Sequence, residues 1–147
     1  MSYHEDFYAS LVNFCQTQIT ELVTSGVSPG LQYVDYDAHS QVLDLPKTDL
    51  IGVASLHWSN DGHVFTIGCS IGCSVWQDQN LFRHRQILGA ITPLLLPMKE
   101  IPLLDAQTGI RKNWLMVSGP MSVMPMTTAE QRSLQFILIE LQTGQTS

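Results

Sequence analysis

The segment His63–Trp76, HVFTIGCSIGCSVW, limits the possible folds more than any other part of the chain. Phe65, Ile67, Cys69, Ile71, Cys73 and Val75 alternate with Thr66, Gly68, Ser70, Gly72 and Ser74. Successive strand side chains point to opposite faces, so these sets are the two faces of one long strand. The first face is apolar throughout and belongs in a core. The second carries only small residues. Glycine weakens a strand and is tolerated where another backbone comes close. The small face is therefore expected to be an oligomer interface or to line a lumen. A solvent face with few long side chains is the plainer alternative.

The neighbouring segments supply the rest of a sheet. Leu50–Trp58 (LIGVASLHW) is rich in strand-forming residues, and Ser59-Asn60-Asp61-Gly62 after it is a hairpin signal. Leu31–Asp37 (LQYVDYD) reads as a short strand, and Pro46-Lys47-Thr48-Asp49 as a turn. Upstream, Phe7, Leu11, Phe14, Cys15, Ile19, Leu22 and Val23 recur at helical spacing. They predict a helix from Tyr3 to Thr24, with Glu5 and Asp6 complementing its positive end and Gly26–Gly30 stopping it. Asp78 is the expected N-cap of a second helix, from Gln79 to about Thr92, which Pro93 ends or kinks. The run PLLLPMKEIPLLD is expected to be extended or irregular, and it needs cover from the fold or a partner. Asn113–Met126 and Arg132–Gln142 read as two further strands, the first limited by Gly119-Pro120 and Pro125. The prediction is one α+β domain over residues 1–147, in the order α-β-β-β-α-β-β. Its sheet is mixed, mainly antiparallel, of about five strands packed by two helices.

Composition narrows the function classes. Charged residues make up 14% of the 147, against about 25% in an average soluble domain. The net charge of −6 argues against a sequence-independent grip on nucleic acid, which needs a basic footprint. So little charge implies that part of the surface is covered in the working state. Met1–Asp6 lacks a basic segment followed by an apolar run, so no signal peptide is expected. No stretch reaches about 18 consecutive apolar residues, so no membrane helix is expected.

Catalytic and metal-binding patterns are weak. Cys69 and Cys73 share a strand face about 13 Å apart, at roughly 3.3 Å per residue, too far to share one zinc ion. With Cys15 they read as free, buried thiols. His57 and His63 flank the Asp61-Gly62 turn, a grouping that could serve acid–base or metal chemistry, but a soluble hairpin needs the same residues. Asp35 and Asp37 could likewise work as a carboxylate pair or simply keep an edge soluble. No phosphate-binding loop, dinucleotide fingerprint or nucleophile elbow is present. No catalytic residue, cofactor or metal is assigned, and an enzyme is not expected. Arg83 with Arg85, and Arg111 with Lys112, place four of the seven basic residues at two spots. Acids such as Asp35, Asp37 or Glu21 on an adjacent subunit would suit them; ordinary surface placement is the alternative. Met116, Met121, Met124 and Met126 offer adaptable apolar contacts or plain core.

An acidic N-terminal helix, two short strands, a long strand ending in an aromatic residue (HVFTIGCSIGCSVW), a capped helix (DQNLFRHRQILGAI) and a terminal pair of strands follow in that order. This order and size resemble the tail terminator and neck (tail-completion) proteins of tailed bacteriophages. The resemblance covers most of the chain and rests on element order and texture rather than a diagnostic motif. It implies a non-catalytic virion protein, assembled in the host cytoplasm as a homo-oligomeric ring, typically a hexamer. Such a ring stops tail-tube growth and meets the head–tail connector, and DNA passes through it without specific binding. Thr66, Gly68, Ser70, Gly72 and Ser74 would then form a ring or lumen face. A non-catalytic module binding a small molecule or peptide is the alternative.

Overall fold

The computed structural model describes residues 2–39 and 41–144. Helix α1, Tyr3–Thr24, begins where the Ser2 hydroxyl accepts a hydrogen bond from the Glu5 N–H. Phe7, Leu11, Phe14, Cys15, Ile19 and Leu22 form its buried stripe. It ends as the Gly26 N–H bonds to the Val23 carbonyl, with Gly26 in the left-handed conformation at φ +82°.

Among the described residues, eight strands make one sheet: β1 (Gln32–Asp35), β2 (Leu50–Asn60), β3 (Val64–Trp76), β4 (Glu100–Leu104), β5 (Arg111–Val117), β6 (Ser122–Val123), β7 (Thr127–Ala129) and β8 (Arg132–Gly144). The spatial order is β1-β2-β3-β8-β5-β4, and β6 and β7 continue along β8 beyond β5. Among the described residues the β1–β2 pairing is parallel and the other pairings are antiparallel. The α+β class and the mixed, mostly antiparallel sheet agree with the sequence, but there are more strands than five. The excess has two sources. The proline-punctuated run contains an edge strand, β4, in which Pro102 is accommodated. The other lies before β8: the stretch expected as one strand from Asn113 to Met126 is broken around Gly119-Pro120 and Pro125 into β5 and β6, and a further short strand, β7, follows outside it; all three pair with β8.

The second helix is also shorter than expected. A 3₁₀ turn occupies Gln79–Leu81, α2 runs Phe82–Ile91, and another 3₁₀ turn follows at Thr92–Leu95. Asn80 and Leu81 both lie at positive φ, which delays the helix start. Asp78 still serves that end: its carboxylate accepts from the Arg83 and His84 N–H groups at 3.1 and 2.9 Å.

Helix α1 packs on β1 and β2 near one edge of the sheet and on β4 at the other, so the sheet curls around it. Two polar side chains fasten that grip. Asp6 is buried, accepts from the Ala106 N–H at 2.8 Å and pairs with Lys112. The Ser10 hydroxyl accepts from the Leu104 N–H at 2.8 Å. Inside the curl, the apolar face of β3 meets Ile137, Ile139 and Leu141 of β8, the stripe of α1, and Ile87 and Ile91 of α2. Among the described residues, no helix is long and apolar enough to cross a membrane.

Candidate functional site

The outer face of the sheet holds a second, smaller cluster built on the small residues of β3. The chain after β1 turns through a 3₁₀ helix, Tyr36–Ala38, started by the Asp35 carboxylate accepting from the Asp37 N–H at 3.1 Å. This lays Tyr36 across the sheet. Its ring meets Phe136 edge-on, with centroids 5.3 Å apart and planes at 72°. Its hydroxyl hydrogen-bonds the Ser74 hydroxyl at 2.7 Å. Burial pushes the Tyr36 phenol far above its ordinary value, so it stays neutral. Val34, Leu45, Leu50 and Ala54 complete the cluster, with Leu134 and Phe136 against it.

This packing explains the glycines. A Cβ on Gly72 would sit 2.5 Å from the Tyr36 ring and 2.8 Å from Phe136. A Cβ on Gly52, its partner across the β2–β3 pairing, would meet the Val34 carbonyl oxygen at 1.7 Å. Further along, a Cβ on Gly68 would collide with the His57 ring. The small face is thus in large part a seat for rings of the same chain. Gly72 and Ser74 are buried by it and are not open to a neighbour or a lumen, which corrects the expectation for those two positions. Thr66, Gly68 and Ser70 remain partly exposed.

Beyond Tyr36 the cover stops and a groove of about 470 Å³ opens. Ala54, Ser70, Phe136 and Leu138 line it, with Tyr36, His39, Val42 and Leu45 on one side and Met124 on the other. The Met124 N–H bonds to the Phe136 carbonyl at 2.9 Å, and the Gln135 amide donates to the Met124 carbonyl at 2.8 Å. The opposite wall is fixed through a bulge in β2. Ser55 lies at φ +56°, and its N–H donates to both Asp37 carboxylate oxygens at 2.9 and 3.1 Å. Among the lining residues Asp37 is the one carboxylate, and none is a lysine or arginine.

The two basic pairs divide. Arg83 donates to Asp49 through Nε at 3.0 Å and to the Trp76 carbonyl through Nη2 at 2.7 Å. Lys112 is held by Asp6. Both therefore answer buried carboxylates of their own chain, a demand that their clustering in sequence does not reveal. For Asp49, burial works to raise the carboxyl, but hydrogen bonds from Arg83, Ser28 and the Trp76 N–H outweigh it and hold the group below its ordinary value. Arg85 and Arg111 stay exposed, the first donating to the Asn80 carbonyl and the second 4.7 Å from the Trp114 ring centre. Asp35 accepts from the Asp37 N–H and Asp37 from the Ser55 N–H, so each carboxylate fastens a turn of its own chain.

The remaining groupings are likewise accounted for. Asp61 accepts from the His63 and Val64 N–H groups of the hairpin, and these bonds hold its carboxyl below the ordinary range. The His57 Nδ1 lies 2.8 Å from the Ser55 carbonyl, while His63 is exposed. Among the described residues, no three His, Cys, Asp or Glu side chains are placed to hold a metal ion. Cys15, Cys69 and Cys73 are free and buried, and burial pushes the Cys69 thiol up to about 12. No protein-family model matches the chain, and no curated protein sequence matches it significantly.

The residues that sequence reasoning missed are Tyr36, Ser55, Phe136 and Leu138. One signal was present: Tyr36 lies between two aspartates, a common composition for a side-chain-capped turn, and the strand expected over Leu31–Asp37 accordingly stops at Asp35.

Proposed function

We propose that this chain is a structural virion protein that assembles as a ring at the tail–neck junction of a tailed phage, where it ends tail-tube growth and joins the tail to the head connector. The observation that carries this reading is the pairing of two unlike exposed apolar surfaces on one small domain. One is the concave groove over Phe136 and Leu138. The other is the convex corner after α2, where Leu94, Leu96 and Met98 are exposed. Unlike patches favour head-to-tail contacts, and head-to-tail contacts that close generate rings. The scarcity of charge, at 14%, fits a surface that neighbours cover. A net charge of −6 fits a channel through which DNA slides without being gripped.

Native mass spectrometry over a concentration series tests the assembly, and a tail-tube growth assay tests the role. A closed oligomer, hexameric by the resemblance, that caps tubes at fixed length is the expected outcome. A strict monomer at high concentration that leaves tube growth unchanged sinks the proposal. The second reading, a small-molecule or peptide binding module, is favoured by the groove volume, which lies within the roughly 300–1,000 Å³ usual for ligand sites. Saturable ligand binding by that monomer would establish it.

A further inference from the structure

We infer that the groove on the outer sheet face receives the Leu96–Lys99 corner of a second copy of this chain. This contact rests on the ring reading above and gives it a named interface. Met98 carries the argument. It lies at φ +76°, a conformation in which a bulky residue is strained and which glycine adopts freely. Its backbone is held there from both sides: the Met98 N–H donates to the Val117 carbonyl at 2.9 Å, and the Val117 N–H donates to the Lys99 carbonyl at 2.8 Å. Yet the Met98 side chain is 71% exposed. A strained position that spends its side chain on solvent marks a use outside the monomer. Leu96 stands beside it, 48% exposed.

The two surfaces are complementary in chemistry. Methionine and leucine are adaptable and apolar, and they match a groove floored by Phe136 and Leu138, the latter 41% exposed. Lys99 follows Met98 directly, is exposed, and makes no ion pair among the described residues. Asp37 lines the groove exposed, its carboxylate holding the Ser55 N–H; His39 lines the groove as well, but no lysine or arginine does. Knob and groove lie on different parts of one chain, so each copy offers a knob to one neighbour and a groove to the other.

Cysteine pairing tests the contact. Met98→Cys and Leu138→Cys are made as separate proteins and oxidised alone and mixed; the three native thiols are buried and serve as the unreactive background. The expected result is a covalent pair in the mixture only. Self-linked Leu138→Cys dimers would overturn the inference in favour of a symmetric contact. Oligomers in native mass spectrometry without the mixed cross-link would overturn this interface and leave the ring reading standing. A strict monomer would overturn both. Met98→Gly separates contact from folding: it relieves the strained φ, so its melting temperature is expected to be unchanged or raised, while assembly weakens by at least about tenfold. Undiminished assembly of Met98→Gly would also overturn the inference. Lys99→Glu, facing Asp37, is expected to weaken assembly by about tenfold and to remove part of its salt dependence; unchanged assembly and salt dependence would overturn the charge pairing.

Discussion

The two faces of β3 use one strand for two different tasks. On the inner face every position from Phe65 to Val75 meets helix or strand, and both helices close over it. On the outer face Tyr36 and its neighbours cover the Gly72–Ser74 end, an apolar groove opens at Ser70, and the His57 ring lies over Gly68. The inner face is filled by bulk. The outer face is filled by absence, since Gly52, Gly68 and Gly72 make room for other groups. The lesson is that small residues on a strand can record an intramolecular seat as readily as a surface for a neighbour: here Gly72 makes room for Tyr36 and Phe136, and Gly68 for the His57 ring.

The inner face should therefore dominate stability. Phe7 is 1% exposed and packs against Phe65 with ring centres 5.5 Å apart. Phe7→Ala is expected to cost about 3–5 kcal/mol by chemical denaturation. A loss near 1 kcal/mol would show that the curl around α1 is loosely filled. Next in size is an outer-face seat. Gly52→Ala would drive a methyl group into the Val34 carbonyl at 1.7 Å, a backbone atom that yields only if β1 shifts. The expected cost is about 1–3 kcal/mol, with hydrogen exchange accelerated first in β1. Unchanged β1 exchange would mean that the outer cluster does not depend on this close approach.

The Arg83–Asp49 pair joins the two faces at the end of β3. Losing one partner of a fully buried pair costs about 3–5 kcal/mol, but Arg83 is 33% exposed, so solvent screening reduces the expected cost of Arg83→Ala to about 2 kcal/mol. The Asp49 carboxyl is depressed below its ordinary value of 3.8. Its contribution is thus complete above that value and is lost as pH falls through the lower folded-state value. Denaturation midpoints measured from pH 5 downward should fall more steeply for the native protein than for Asp49→Asn. Parallel curves would assign the acid sensitivity to other carboxylates, such as Asp61 and Asp105, which are depressed in the same direction.

The inner half of the molecule is legible in sequence, and the outer half is not. α1 is readable because helical period, N-cap, acidic first turn and stop signal agree. β3 is readable because its alternation is unbroken, and the β2–β3 hairpin because Asp61-Gly62 is a strong turn pair. The β7–β8 hairpin is hidden. Its two central residues, Glu130 and Gln131, both adopt positive φ without the Asn or Gly that normally signals such a turn. β4 is hidden by Pro102, which is tolerated there because the strand lies at the sheet edge. The groove is hidden for a different reason. Its walls come from Asp37, Met124 and Leu138, far apart in sequence, and their meeting depends on how Tyr36 lands on Gly72. Arg83 and Lys112 resemble free surface charge because the carboxylates they answer, Asp49 and Asp6, lie 34 and 106 residues away.

The smallest expected stability effect is the sharpest test of the contrast between the faces. Leu138 lies on the outer face of β8 opposite Ser70, where the Tyr36 cover has ended. Its neighbour Ile137 points inward and is fully buried. Ile137→Val removes one methyl group from a closed core and is expected to cost about 0.5–1.5 kcal/mol without changing assembly. Leu138→Gln makes a larger chemical change on an open surface, so its stability is expected to stay within about 0.5 kcal/mol of the native protein. Its assembly should nonetheless be lost, because the amide would have to be desolvated in an apolar contact without a partner. Adjacent residues would then exchange roles, the conservative change acting on folding and the drastic one on assembly. If Leu138→Gln instead destabilises the monomer as much as Ile137→Val does, the groove is part of the folding core and the division between the faces fails.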